Sequence, residues 1–411
     1  MDRKVVVTGV GVVSPVGIGK ERYWQALFEG KSGFRKITLF DTSMLAVHRA
    51  GEIGDFDPIA LLGKKGLRTL DRATQLVSSA AKLALEDAGI QITEENTYST
   101  GVSIGATFGS LHSIAQFDRQ GLTEGPRYVN PSHFPNTVIN SPASQVSIRF
   151  KIKGFNATIS TGFCAGLDAV SYATDFIRLG RAQVVLAGGV EELCEETFLG
   201  FYKLGCLSGA DGSEPACCPF DARRNGTILS EGAAVLVLED EEYALNRGAS
   251  IMAKVRGYGN SFDPTASMDF SHDGHGLKEA ITRALKNESP GSDRVDYISS
   301  CANSTRGLDR METAVIKDVF GGSAYDIPMS SIKSMIGETF SASASFSLAA
   351  VVGSLKEGII PPTINYAEKD PACDLDCVAN VGRQRTVKSA LVIAADPYGH
   401  NAAIVLSGHG R

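Results

Sequence analysis

Two apolar segments far apart in the chain share one glycine pattern, and this repetition constrains the fold most strongly. Lys4 to Gly17 (KVVVTGVGVVSPVG) predicts a buried strand followed by glycine-rich turns. Ile251 to Asp263 (IMAKVRGYGNSFD) repeats the pattern, with a second Gly-x-Gly after its apolar residues. An internal repeat of this kind predicts two similar halves, residues 1–250 and 251–411, built on the same plan.

Between these segments, strand patterns alternate with helical ones. Asp71 to Gly89 has the 3.6-residue apolar period of a helix that ends at a glycine cap. Gln183 to Glu191 and Val295 to Ala302 predict buried strands, and SALVIAAD and NAAIVLSG predict two adjacent ones near the C-terminus. This alternation favours an α/β fold with mostly parallel or mixed sheets beneath helices. Because VVSPVG rather than a helix start follows the first strand, a nucleotide-binding loop is a poor interpretation.

Composition limits the class of partner. The 411 residues carry a formal net charge of −6, which gives no basic surface for nucleic acid or an anionic membrane. No run approaches the ~18 apolar residues of a membrane span, and no secretory signal precedes the first strand pattern. We therefore expect a cytoplasmic protein whose eight cysteines are free thiols. Since these cysteines lack zinc-like spacing, we expect no metal site.

Several long segments, in order along nearly the whole chain, match one family. They are VTGVGVVSPVG, LFEGKSGF, NTVINSPASQVSIRFKIKGFNATIST, GLDAVSYA, CPFDARRNGTILSEGAAVLVLED, SIKSMIG, GIIPPTINY and DPACDLDCVAN. Through them the chain resembles the elongating β-ketoacyl-acyl carrier protein synthases. The resemblance implies the thiolase fold, a five-layer α/β/α/β/α arrangement of two similar halves, and an obligate dimer across residues 140–161. It implies no cofactor, because acyl chains arrive on the phosphopantetheine of acyl carrier protein.

The resemblance also implies a nucleophile motif, which is altered here. The family takes the acyl group on a cysteine in the run S-T-(G/A)-C-x-x-G. That cysteine begins a buried helix, whose dipole and amides help hold it as a thiolate. Here the run reads STGFCAG, so that Phe163 holds the nucleophile position and Cys164 follows it.

The two histidines of the family, which drive malonyl decarboxylation and stabilise the enolate, are replaced as well. The first belongs to the run N-A-H-G-T-x-T, which is SSCANST here, with Cys301 at the histidine position. The second belongs to K-S-M-x-G-H, which keeps Lys333 but ends in Glu338. None of the seven histidines falls in these motifs. We therefore expect no catalytic residue in this chain.

Further pocket positions differ from the family. A phenylalanine of the family's D-G-F turn is Thr227 here, and a buried glutamate nine residues after the second histidine is Ser347. The C-terminal G-F-G-G loop of the family reads DPYG, residues 396–399.

The residues leave two alternatives open. An active synthase could use Cys164, although one residue along a helix turns a side chain by ~100° and shifts it by ~1.5 Å. Nucleophilic attack tolerates less misplacement than that. The turn before the helix would therefore have to shift by one residue to bring Cys164 to the nucleophile position. The second alternative is a structural or binding protein that keeps the fold. A malonyl decarboxylase fits poorly, because such relatives keep both histidines.

The expected function is that of a non-catalytic chain-length factor, the ketosynthase-β subunit of a type II polyketide, polyene or related fatty-acyl elongation system. Its implied partners are an active ketosynthase-α subunit, in a heterodimer, and an acyl carrier protein. By analogy, the acyl tunnel and the subunit interface would involve Leu111, Ile114, Phe117 and Phe134. Plain dimer packing explains these apolar residues equally well.

Overall fold

The computed structural model describes residues 3–265, 273–286 and 295–409. Its strands are β1 (Val5–Ser14), β2 (Gly17–Ile18), β3 (Arg35–Lys36), β4 (Arg49–Ala50), β5 (Thr100–Gly105), β6 (Asn156–Ile159), β7 (Val184–Glu191), β8 (Gly232–Asp240), β9 (Ala253–Phe262), β10 (Tyr297–Ser299), β11 (Met329–Ser330), β12 (Ile359–Ile360), β13 (Arg383–Gln384), β14 (Ser389–Ala395) and β15 (His400–Ser407). Its helices are α1 (Lys20–Phe28), α2 (Pro58–Leu62), α3 (Arg72–Ala88), α4 (Leu111–Thr123), α5 (Ser141–Phe150), α6 (Ala165–Arg178), α7 (Glu195–Lys203), α8 (Glu241–Asn246), α9 (His275–Lys286), α10 (Arg306–Phe320), α11 (Lys333–Ile336) and α12 (Ser341–Glu357). In these ranges no helix is both long enough and apolar enough to cross a membrane.

The main sheet consists of two halves that repeat the same strand order. One half runs β1-β8-β7-β5-β6 and the other β9-β15-β14-β10-β11, and β1 pairs with β9 where the halves meet. In each half the first two pairings are antiparallel and the last two are parallel. The predicted internal repeat is therefore confirmed at the level of topology, and the predicted neighbours SALVIAAD and NAAIVLSG are β14 and β15.

The repeated glycines explain why the two halves share a sequence pattern. A Cβ atom on Gly11 would lie 1.9 Å from the carbonyl oxygen of Ala80 in α3. A Cβ atom on Gly259 would lie 2.2 Å from the carbonyl oxygen of Ala280 in α9. In both halves, glycine lets a helix backbone rest directly on the first strand. The division at residue 250, which falls between α8 and β9, stays a prediction.

The helices form three layers around the sheets. Helices α6 and α12 pack on each other and contact strands of both halves of the sheet. Helix α3 covers the outer face of one half, and α9 covers that of the other. The side chains of α12 are buried around its whole circumference from Ser341 to Leu355, as expected for a central helix. This is the five-layer α/β/α/β/α arrangement of the thiolase fold.

Two local features show how the sequence sets element ends. Helix α3 begins after Asp71, whose carboxylate accepts from the N–H of Thr74, and it ends at Gly89 with φ 63°. The predicted strand Val295 to Ala302 is shorter than expected, since β10 stops at Ser299. The amides of Cys301 and Ala302 donate to the carboxylate of Glu312 instead of to a neighbouring strand.

Candidate functional site

A cavity of about 580 Å³ opens beside the start of α6. It is lined by Phe163, Phe201, Leu204, Gly205, Cys206, Asp211, Asn225, Gly226, Thr227, Asn303, Thr305, Arg306, Gly307, Glu338 and Pro397. Two of the three positions that the sequence predicts to be replaced catalytic residues, Phe163 and Glu338, are therefore in its wall. The third, Cys301, is buried outside the lining, and its carbonyl accepts a hydrogen bond from Nζ of Lys333 at 3.0 Å. No histidine is among the lining residues.

Phe163 belongs to an aromatic plug formed by Phe108, Phe163, Phe201 and Phe340. The ring centroids of Phe163, Phe108 and Phe201 each lie 5.0 Å from that of Phe340. Phe340 adopts φ 48°, a conformation that costs a non-glycine residue roughly 1–3 kcal/mol and persists only where packing enforces it. The side chain of Phe163 is 6% exposed. The plug thus fills the space in front of the helix start, where a nucleophile would meet an acyl group.

Cys164 is not among the residues that line the cavity. Its side chain is fully buried, and its Sγ donates to the carbonyl oxygen of His400 at 3.3 Å. Burial raises the pKa of this thiol well above its ordinary value, and the nearby carboxylates of Asp168 and Asp396 raise it further. A neutral, buried thiol is a poor nucleophile, so packing is the role that this environment favours.

Glu338 and Lys333 form a buried ion pair with 2.8 Å between Oε2 and Nζ. The same carboxylate accepts from Asn303 Nδ2 at 3.0 Å, from the N–H of Phe340 at 3.0 Å and from Oγ of Ser343 at 2.7 Å. Burial alone would lower the pKa of Lys333, but the nearby Glu338, Cys301 and Glu312 together offset this effect and raise the pKa, with Glu338 contributing most of the three. Each charge is therefore paired, and the oxygens of Glu338 are committed to four donors.

Sequence reasoning missed Glu312, which shapes the turn after β10. Its carboxylate accepts from Oγ of Ser300 at 2.6 Å and from the N–H groups of Cys301 and Ala302 at 2.9 and 3.0 Å. Burial raises the pKa of the Cys301 thiol well above its ordinary value, and the charge of Glu312 adds to that effect. The sequence signal that could have identified Glu312 is a carboxylate on the apolar face of α10, between Leu308 and Val315.

The four residues expected at a tunnel or interface lie apart from the cavity. Leu111, Ile114 and Phe117 are half-buried on α4, while the side chain of Phe134 is 58% exposed. The rings of Phe117 and Phe134 pack together with 6.0 Å between their centroids. None of the four is in the cavity wall. Their part in a tunnel stays a prediction.

An apolar surface surrounds the region expected to form the dimer. Among the residues that the structure describes, strand β6 stands at the end of the sheet with β5 as its neighbour, so one edge of β6 is unpaired there. Exposed apolar side chains lie on the segments before it, namely Leu122, Tyr128, Phe134, Val138, Ile139 and Ile148. Exposed apolar patches of this kind mark interaction sites.

Comparison with known protein families shows to which family this chain belongs. The family model described as beta-ketoacyl synthase, N-terminal domain, matches residues 2–244, and the corresponding C-terminal domain model matches residues 252–367. The chain belongs to the β-ketoacyl synthase family. It is 36% identical to 3-oxoacyl-[acyl-carrier-protein] synthase 2 of Coxiella burnetii over 98% of both chains. It is 38% identical to the tetracenomycin polyketide synthase ketoacyl synthase alpha subunit of Streptomyces glaucescens, over 99% of this chain and 97% of the relative.

Solved structures of this β-ketoacyl synthase fold superpose over the whole chain. The ishigamide ketosynthase/chain length factor gives a TM-score of 0.91 at 33% identity and covers 100% of both chains. A ketosynthase bound to its type II acyl carrier protein gives a TM-score of 0.90 at 31% identity, over 99% of this chain and 100% of that chain. The five-layer fold is therefore that of thiolase-type ketosynthases.

The buried pair Lys333–Glu338 can be tested by a double-mutant cycle. Lys333→Met alone leaves an uncompensated buried carboxylate, and we expect a loss of about 3–5 kcal/mol of unfolding free energy. Adding Glu338→Gln should recover part of that loss, because the neutral side chain no longer needs a counter-ion. Denaturant unfolding of the four proteins measures the coupling.

The exposed i,i+4 pair Glu279–Arg283 offers a matched control on a helix surface. Replacing Arg283 with Met should cost less than about 1 kcal/mol. Strictly additive losses at Lys333 and Glu338 would contradict the ion pair.

Proposed function

We propose that this chain is the non-catalytic chain-length-factor subunit, ketosynthase-β, of a β-ketoacyl synthase heterodimer. The observation that carries the proposal is the aromatic plug, with Phe163 at the position where the family has its nucleophile. A benzyl group has no atom that can accept an acyl chain. Its ring also takes up the volume in which an acyl-thioester would lie.

The surroundings of the plug support the same conclusion. Decarboxylation of a malonyl group requires a donor that stabilises the enolate as its charge develops. Glu338, at the second histidine position, is a carboxylate held by four donors, and its charge would oppose an enolate. Cys301, at the first histidine position, has a thiol without access to the cavity lining.

An active synthase that uses Cys164 is less well supported. Its Sγ is buried and donates to a backbone carbonyl, and the lining of the cavity does not include it. Reaching the cavity would require turning the start of α6, which is packed directly against α12 through Gly166. A purely structural or binding protein remains the other alternative, and the assembly experiment below separates it from a chain-length factor.

The proposed partners are an active ketosynthase-α subunit and an acyl carrier protein. The open edge of β6 and the apolar residues beside it give a surface on which a second synthase chain could continue the sheet. Two structural neighbours support this choice, since one is a ketosynthase/chain length factor and the other a ketosynthase in complex with its acyl carrier protein. Under this proposal the acyl chains elongated belong to a type II polyketide, polyene or related fatty-acyl pathway.

Co-expression with a synthase that carries an intact Cys-His-His set should give a stable one-to-one heterodimer. The apolar side chains exposed in the single chain become buried in that complex, and this burial favours association. Size-exclusion chromatography with native mass spectrometry measures the composition. A variant with Leu122→Glu and Ile148→Glu, both exposed here, should weaken the complex, whereas Leu245→Glu on the distant α8 should not.

Only homodimers of this chain in the same mixture would contradict the chain-length-factor proposal and favour the structural alternative.

A larger side chain at Leu111 tests the tunnel. Leu111→Trp adds volume on α4 beside the proposed interface, and we expect a shorter acyl product with turnover still measurable. Liquid chromatography with mass spectrometry of the products of the heterodimer gives the chain length. Leu245→Trp, on the remote α8, is the matched control and should leave the products unchanged. An unaltered product spectrum from Leu111→Trp would remove this residue from the tunnel.

A further inference from the structure

The loop after β14 holds a carboxylate against the start of α6. Oδ2 of Asp396 accepts from the backbone N–H of Phe163 at 2.9 Å, and its Oδ1 accepts from the N–H of Tyr398 at 2.7 Å. The side chain of Asp396 is buried. Gly162 adopts φ 59°, and a Cβ atom there would lie 1.9 Å from Oδ2 of Asp396, so glycine is what allows this approach.

The N–H of Phe163 is the backbone donor that acyl transfer at this position would need. Attack on a thioester creates an oxyanion, and preorganised backbone N–H groups stabilise it, often including that of the nucleophilic residue itself. At the start of a helix this donor also has the positive end of the helix dipole behind it. In this chain the N–H of Phe163 already donates its hydrogen bond to a carboxylate oxygen of Asp396.

The loop after β14, which faces the start of α6, does not supply another N–H donor for the oxyanion. Pro397 lines the cavity together with Phe163, and proline has no N–H to donate. The next N–H in the loop, that of Tyr398, donates to the same Asp396 carboxylate. Both the helix start and the loop are therefore unavailable to a substrate oxygen.

We propose that Asp396 is a built-in anion that occupies the oxyanion position at the start of α6. This inference rests on the proposed non-catalytic function and deepens it, because the chain then lacks the backbone donors as well as the reactive side chains. Restoring the three side chains of an active synthase would leave the site blocked. The residue acts through the backbone of position 163, so it is a positioning residue.

The first test uses a thiol introduced by Phe163→Cys as a reporter, in a Cys164→Ala background. A carboxylate beside this thiol disfavours the thiolate and keeps its pKa high. Adding Asp396→Asn removes the charge but keeps the size of the side chain. We expect the pKa of the introduced thiol to fall by about one unit or more, as measured by the pH dependence of iodoacetamide alkylation with peptide mass spectrometry. An identical midpoint in both proteins overturns the proposal.

Other charged groups around the site are the same in both proteins. Asp168, Cys301 and Lys333 interact electrostatically with the adjacent Cys164, and His400 and Glu338 interact with Asp396. Tyr398→Phe is the matched control in the same loop, because it alters an exposed side chain and keeps the N–H that Asp396 binds. It should leave the midpoint of alkylation unchanged. A shift as large as that of Asp396→Asn would assign the effect to the loop and overturn the proposal.

The second test restores the family side chains with Phe163→Cys, Cys301→His and Glu338→His, with or without Asp396→Gly and Pro397→Phe. Intact mass after incubation with an acyl-coenzyme A thioester measures acylation. We expect at least about tenfold faster acylation when the loop is also changed. Equal rates overturn the inference, and if neither protein is acylated, the thiol titration decides it. Acylation of the unaltered chain would instead contradict the proposed function.

Discussion

The contact between α6 and α12 in the central layer is the constraint on which the site depends. A Cβ atom on Gly166 would lie 2.2 Å from the carbonyl oxygen of Ser341, so the first turns of the two helices meet backbone to backbone. This contact fixes the residues that precede each helix, Phe163 and Phe340, with their rings 5.0 Å apart. In the family the same geometry would present a nucleophile to a cavity. In this chain the same contact places the ring of Phe163 against the ring of Phe340.

The carboxylates of Glu338 and Asp396 are stable in the buried site because each has hydrogen-bond partners. Glu338 pairs with Lys333, and Asp396 accepts two backbone N–H groups. An unpaired buried charge costs several kcal/mol, so these groups persist only with such partners. The cavity beside the start of α6 is open, and Phe163 of the aromatic plug and Glu338 with its four donors form part of its wall.

Much of the fold and part of the site follow from the sequence. The repeated glycines predict two halves because each lets an outer helix lie directly on the first strand of its half, as at Gly11 and Gly259. The positions Phe163, Cys301 and Glu338 are predicted from the resemblance of their surroundings to the family's motifs. The aromatic plug could not be predicted, since Phe108, Phe201 and Phe340 come from distant segments. The same holds for Asp396, whose partner Phe163 lies far away in the chain. The proposed tunnel would combine surfaces from two chains, so no single sequence determines it.

In the proposed heterodimer, the partner ketosynthase catalyses the reaction and this chain does not. Replacing one cysteine at a time, Cys164 here and the nucleophile in the partner, tests that assignment. Steady-state product formation is measured after Cys164→Ala in this chain and, separately, after replacement of the nucleophilic cysteine of the partner ketosynthase. We expect an unchanged rate in the first case and complete loss in the second. Loss of activity from Cys164→Ala in a complex that still assembles would contradict it.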